Sequence, residues 1–294
     1  TIFENKNSFV FIDRDDDIDS LTIELKSLLK STDDFILAAE KKGYNKRILP
    51  GKFKIKKGMG NNEIINTLRS QRLTTTVVFN NQERIEDLVG RIAIQIEADS
   101  LELLNAFQDQ VFLSKNGFTK VDALTMYLPN SYDVFWDITP QDFRKRMLDY
   151  HNLFWNKKRM NKAKDLNLSS KDVYILASIL QKETIQSKEQ NRIAGVYLNR
   201  LKIGMKLQAD PTVIFALKKE SDDFQRIIKR VLYKDLRTKS AYNTYLHKGL
   251  PPGPITMPDL SAIDAVLDHE KHNYLYFVAS TINPGYHLFA KNLR

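Results

Sequence analysis

Residues 169–184 read Ser-Ser-Lys-Asp-Val-Tyr-Ile-Leu-Ala-Ser-Ile-Leu-Gln-Lys-Glu-Thr, and their pattern sets the reading of the chain on either side. Ser169 and Ser170 are good helix N-caps, and Asp172 puts a negative charge in the first turn, where the helix dipole favours it. Val173, Leu176, Ile179 and Leu180 recur at helical spacing, so the stretch predicts a helix with an apolar, inward face. Glu183 follows Leu176 by seven residues, Ile179 by four and Leu180 by three, which turns its carboxylate to that same face. It also lies at the helix C-terminus, where the dipole disfavours a negative charge. Both effects raise its pKa. An acid kept protonated near neutral pH is what cleavage of a glycosidic bond requires. Each unit of upward shift costs about 1.4 kcal/mol, so an inward glutamate here is either functional or paired with a cation. Arg192 and Arg200 are the candidate cations.

Downstream, Ser187-Lys188-Glu189 reads as a polar turn, followed by a helix from Gln190 to Leu201 whose apolar face is Ile193, Ala194, Tyr197, Leu198 and Leu201. Gly204–Thr212 reads as a turn leading into another helix, with Pro211 in its first turn. Asp210 is either the N-cap of that helix or a polar group facing a cleft. Tyr242-Asn243-Thr244-Tyr245 carries side chains that stack on and hydrogen-bond to sugar rings. The proline-glycine segment Gly249–Pro254 excludes helix and predicts a rigid loop suited to a cleft wall. Tyr274–Ala279 reads as a buried strand and Gly285–Phe289 as a second one. His287 alternates with apolar neighbours there, a pattern that fits a structural histidine better than a catalytic one.

Upstream lies a faint internal repeat. A strand at Phe9–Ile12, a helical stripe of Ile18, Leu21, Leu25 and Leu29, and a helix near Asp34–Lys42 come first. The order recurs with Val77–Phe79, then Ile85, Leu88, Ile92 and Ile96, then Ser100–Phe107; Ile85 and Leu88 lie 67 residues after Ile18 and Leu21. Two β–α–α units are expected, joined by a smaller element with a strand at Phe53–Lys56 and a helix at Asn62–Arg69 after the Gly58–Gly60 turn. Thr125–Asp137, rich in aromatics around Pro129, reads as an ordered connector. Helix resumes at Pro140–Lys158, and Lys157–Lys164 reads as a solvated basic run.

Composition bounds the classes. The chain has 294 residues, 42% hydrophobic and 28% charged, enough for one large domain or two modest ones. It has no cysteine, which excludes disulfides and thiolate metal sites. The five scattered histidines have no zinc spacing, and neither a phosphate-binding glycine loop nor a serine nucleophile elbow occurs. No metal or cofactor is therefore expected. The net charge of +9 favours polyanions, with nucleic acid and an anionic wall or membrane face as candidates beside a plain solvated lysine-rich surface, and no nucleic-acid signature occurs. No run approaches the ~18 apolar residues of a membrane span. The chain begins at Thr1, so an N-terminal targeting or anchoring segment is expected to be missing from it.

Ala177–Thr184, Ile193–Thr212 with Asn199-Arg200-Leu201 and Leu207-Gln208-Ala209-Asp210-Pro211-Thr212, Tyr242–Ile255 and the Tyr274–Phe289 ending together resemble the endolytic murein transglycosylase, or YceG-like, family. The N-terminal part resembles that family's LysM-like region more loosely. The resemblance implies an α+β fold: small LysM-like β–α–α units over 1–112, then a mixed α/β catalytic domain over 113–294 with the catalytic glutamate, here Glu183, at a helix C-terminus. It implies an envelope enzyme, anchored by a segment absent from this chain, that cuts within peptidoglycan glycan strands and works near cell-wall synthases. Candidate sugar contacts are Gln208, Asp210, Thr212, Tyr242, Asn243, Thr244, Asn199, Arg200 and Glu189, the last matching an acidic position after the catalytic helix. The family often has an earlier acidic residue where this chain has Gln181, and an acidic residue and threonine where it has Asn130 and Ser131. The implied chemistry is protonation of the glycosidic oxygen by Glu183, with closure of the sugar's own C6 hydroxyl on C1. A hydrolase using Glu189 or Asp210 as base, and a non-catalytic glycan-binding scaffold, are the alternatives.

Overall fold

The computed structural model describes residues 1–184 and 186–293. Among them the fold is mixed α+β, with many helices and three separate two-stranded sheets. The chain builds two compact units that interleave along the sequence. One takes residues 1–78, 89–103 and 131–143, and the other takes 79–88, 104–130 and the chain from 144 onward.

In the first unit, β1 (Asn7–Ile12) is followed by α1 (Ile18–Leu25) and α2 (Thr32–Lys41), in the predicted order. Asp17 and Ser31 cap the two helices by accepting backbone N–H groups of their first turns. β2 (Gly51–Lys56) does not stand in a separate joining element. It pairs antiparallel with β1, Val10 opposite Phe53 and Ile12 opposite Gly51, and so closes the first β–α–α segment. Alternation drives the pairing: Val10, Ile12, Phe53 and Ile55 all point into one core with Leu21, Leu25 and Phe35. α3 (Asn61–Ser70) covers that core with Ile64, Ile65 and Leu68. β3 (Thr74–Phe79), α4 (Ile85–Ala93) and α5 (Ser100–Phe107) repeat the order. The segment read as a connector contains β4 (Asn130–Phe135), which pairs with β3. Its Tyr132 and Val134 are buried and its odd positions exposed, a two-residue period that the aromatics masked.

The second unit is organised around α9 (Ser170–Glu183), after α7 (Pro140–Phe154) and α8 (Lys157–Asp165). Ser169 and Asp172 form a reciprocal capping box at its start. Every residue from Val173 to Leu180 is buried, so α9 is enclosed on all sides rather than along one stripe. Around it pack α10 (Ser187–Lys202), α11 (Asp210–Ser221) and α12 (Leu260–Leu267). Two polar residues of α9 fix its neighbours: Tyr174 donates to the Tyr127 carbonyl at 2.8 Å, and Ser178 accepts the Ile255 N–H at 3.1 Å.

Several local expectations are corrected. α10 begins at Ser187, so the expected polar turn is the first helical turn, with Glu189 where the dipole favours an acid. The N-cap of α11 is Ala209, with Asp210 one step inside the helix, so Asp210 is not the cap. Part of the basic run is committed: Arg159 pairs with Asp264 and Lys162 with Asp268, pinning α8 to the α12 region. The proline loop is largely buried, and a side chain on Gly253 would meet the Val121 carbonyl at 2.4 Å. β5 (Tyr276–Ala279) and β6 (His287–Ala290) form an antiparallel hairpin that is half-exposed rather than buried, because only Phe277 and Phe289 face the core.

Gly195 marks where the chain crosses α10 most closely. A β-carbon there would lie 2.5 Å from the Glu270 carbonyl oxygen. Gly195→Ala is expected to cost about 1–3 kcal/mol through overpacking, read as a melting temperature lowered by several degrees with the helical circular-dichroism signal retained below the transition.

Candidate active site

Glu183 is the last residue of α9, with Thr184 as its C-cap. Glu183 is half-buried, with its carboxyl in densely packed surroundings. The Tyr197 hydroxyl, from α10, donates to Glu183 Oε1 at 2.6 Å. Neither cation proposed from the sequence pairs with this carboxylate. Arg192 binds Glu270 instead, and Arg200 is spent on the Leu275 and Leu207 carbonyls. Burial is the main cause that raises the Glu183 pKa above its usual 4.5. The Tyr197 bond opposes it, the charge of Asp210 adds to it, and His287 and Arg200 draw it down more weakly. The balance moves its titration upward. Tyr197 is itself fully buried, and burial together with the Glu183 charge holds its hydroxyl far above the ordinary range, so it remains a donor.

A second wall comes from the approach to α11. Gln208 adopts a left-handed backbone, φ 51°, which is costly for a residue with a β-carbon, on the order of 1 kcal/mol or more. Its neighbours enforce it. Arg200 holds the Leu207 carbonyl, Gln208 N–H donates to the Thr244 carbonyl at 3.1 Å, and Ala209 N–H donates to Thr244 Oγ1 at 3.0 Å. The Gln208 and Asp210 residues are both left exposed. Asp210 accepts a 2.6 Å bond from the Tyr245 hydroxyl. Thr212 and Thr244 are buried and share a hydroxyl–hydroxyl bond of 2.8 Å. Asn243, also buried, donates to the Leu236 and Thr238 carbonyls and accepts Tyr245 N–H, so it folds the loop that presents Tyr245. Tyr242 is buried with its ring 4.7 Å from that of Phe215.

The third wall is the β5–β6 hairpin. Asn199 donates to the His272 and Tyr274 carbonyls, and Arg200 to that of Leu275, fixing the chain that enters β5. Glu189 receives two bonds from His287, from the backbone N–H at 3.0 Å and from Nδ1 at 2.9 Å. The site thus gathers Glu183, Tyr197, Asp210 and Tyr245, with Gln208 beside Asp210. Sequence reasoning missed two of its members: Tyr197, read as part of an apolar face, and Tyr245, quoted in its motif without a role; His287, read as structural, is tied to Glu189 beside the site. The one signal for Tyr197 was that it alone on that face carries a polar tip. Among the described residues no group of His, Asp and Glu could hold a metal ion, and no helix is long and apolar enough to cross a membrane.

The YceG-like family model matches residues 10–294, nearly the whole chain. The chain belongs to the YceG-like family. A YceG-like protein of Listeria monocytogenes, known from a crystal structure, shares the fold, with a TM-score of 0.64 at 23% identity, covering 98% of this chain and 97% of that one. This YceG-like chain is also similar to the endolytic murein transglycosylase of Bacillus subtilis (strain 168), 38% identical over 160 residues, or 54% of this chain and 41% of the relative. The protein of the same description from Streptococcus pneumoniae (serotype 2, strain D39) is 33% identical over 129 residues, 44% of this chain and 23% of that one. The matches therefore span less than half the length of these curated relatives.

Two outcomes follow from the electrostatics. In a carboxyl ¹³C NMR titration, Tyr197→Phe is expected to move the Glu183 pKa up, by removing a donor to the charged form, and Asp210→Asn to move it down, by removing a like charge. In the folded state Glu183 binds its proton more tightly than in the unfolded chain, so it lowers stability as pH rises from about 4.5 through its folded pKa. Glu183→Gln is therefore expected to melt at or above the wild-type temperature at pH 8, and to lose that advantage at pH 4.

Proposed function

We propose that this chain is the catalytic part of an endolytic lytic transglycosylase that cuts peptidoglycan glycan strands between N-acetylmuramic acid and N-acetylglucosamine, with Glu183 as its acid/base. The observation that carries the reading is a half-buried carboxylic acid at a helix C-terminus, held by a tyrosine hydroxyl and with no salt bridge to a cation among the described residues. Family membership and the likeness to endolytic murein transglycosylases support the substrate class.

Glu183 gives its proton to the glycosidic oxygen as the C1–O bond breaks. The C6 hydroxyl oxygen of the muramyl residue then closes on C1, and its proton passes to the Glu183 carboxylate. The product end is a 1,6-anhydro sugar, the acid is regenerated, and no water is consumed. Tyr197 orients the carboxyl and offsets part of the cost of its ionised form. Gln208, Asp210 and Tyr245 are the proposed sugar contacts, being polar groups held at the site by a rigid backbone. Thr212, Thr244, Asn243, Asn199, Arg200 and Glu189 support them, because their bonds are made within the protein; Tyr242 packs behind the same loop. The N-terminal LysM-like segments would hold glycan, and an anchor outside this chain would keep the protein at the outer face of the plasma membrane, near wall synthases.

A second reading is a hydrolase. Asp210 is a second carboxylate whose charge reaches Glu183, and such a group could activate water. Products of uncrosslinked strands, measured by mass spectrometry, separate the two. Anhydro ends from wild type and none from Glu183→Gln are expected. Reducing ends would establish the hydrolase, and intact strands from a well-folded wild type would favour a binding scaffold.

A further inference from the structure

We infer that the Glu189–His287 pair is a clip that sets the acidity of Glu183 through Tyr197, which makes both members positioning residues. It rests on Glu183 being the acid/base of the proposed reaction.

The link is an unbroken chain of contacts. Glu189 and Tyr197 stand on the same helix, α10. Tyr197 holds Glu183 by its hydroxyl, and its ring meets that of Phe277 edge-on, centroids 5.8 Å apart at 88°. Phe277 also meets the His287 ring edge-on, 5.3 Å away at 90°. His287 is then returned to α10 by Glu189, which accepts both its backbone N–H and its Nδ1–H. Phe277 therefore touches both the tyrosine that holds the acid and the histidine that is tied down. Asn199 and Arg200 fix only the entry to β5, at residues 272–275. β6 is tied to α10 by hydrogen bonds at Glu189, and beside them Phe289 packs on the core under Arg192, 5.3 Å from the ring. A hairpin of two four-residue strands has little stability of its own, so the position of His287 against Phe277 leans on the Glu189 bonds.

The groups facing Glu183 are Tyr197 and Arg200 from α10, Asp210 from α11, Tyr245 from its loop and His287 from β6. Removing Glu189 is read differently by two accounts of the Glu183 pKa. Simple electrostatics acts on Glu183 without passing through Tyr197, in either direction, because Glu189 is negative and pairs with His287, which itself draws that pKa down, so its effect adds to that of Tyr197→Phe. Loss of the clip lets Tyr197 slacken, weakens the bond that favours the charged form, and raises the pKa.

The test is a ¹³C titration of the Glu183 carboxyl in Glu189→Ala, Tyr197→Phe and the double variant, alongside the pH profile of glycan cleavage. The clip predicts an upward shift in Glu189→Ala, the same sign as in Tyr197→Phe, with no further shift when the two are combined. It also predicts that the alkaline limb of activity moves up with the carboxyl. A downward or absent shift in Glu189→Ala, or shifts that add in the double variant, would overturn it. Glu189→Leu, which keeps the side-chain volume without any acceptor, carries the same prediction if the alanine variant does not fold. Because the titration needs no turnover, it reads the clip even in a chain that cleaves nothing.

Discussion

A half-buried carboxylic acid at the end of a buried helix is an unstable arrangement unless something around it is built to tolerate it. The ionised form loses part of its water, faces the negative end of the helix dipole and sees the charge of Asp210. A cation would remove the difficulty and with it the acidity. The fold supplies a neutral donor instead, the buried Tyr197 hydroxyl, and commits the nearest arginine to backbone carbonyls. α9 provides the placement, since its buried length leaves Glu183 as the position where the helix emerges from the core.

The rest of the second unit can be understood as scaffolding for that end of α9. α10 carries the tyrosine and grips the hairpin, whereas the approach to α11 presents Gln208 and Asp210 from a backbone strained at Gln208. The strain is held by Arg200 and the Thr244 pair, both buried. Rigid support beneath exposed polar groups suits a long, floppy substrate, whose own ordering is costly and whose orientation must come from the protein.

Much of this was legible in the sequence because it rests on local rules. The cap at Ser169, the helical spacing to Glu183 and the order of the repeat elements all follow from short-range chemistry. The inward direction of Glu183 was reached by an argument from one apolar face, although α9 is buried all round; position near the helix end decides the matter. What the sequence hid is long-range. Tyr197 lies 14 residues from Glu183, and His287 lies 98 residues from Glu189, so neither pairing leaves a spacing signal. β4 was concealed by aromatics that serve equally in loops, and the β1–β2 pairing across two helices could not be told from an independent joining strand. Compact units that exchange segments between 79 and 143 likewise leave no shift in composition.

The central claim concerns where a glycan lies relative to one carboxyl. The most direct measurement is a crystal structure of Glu183→Gln with an uncrosslinked glycan oligomer bound. The account predicts the side chain at position 183 within about 3 Å of a glycosidic oxygen between a muramyl and a glucosaminyl residue, with Gln208 and Asp210 against the same sugars. A glycan bound with that linkage far from position 183 would contradict it.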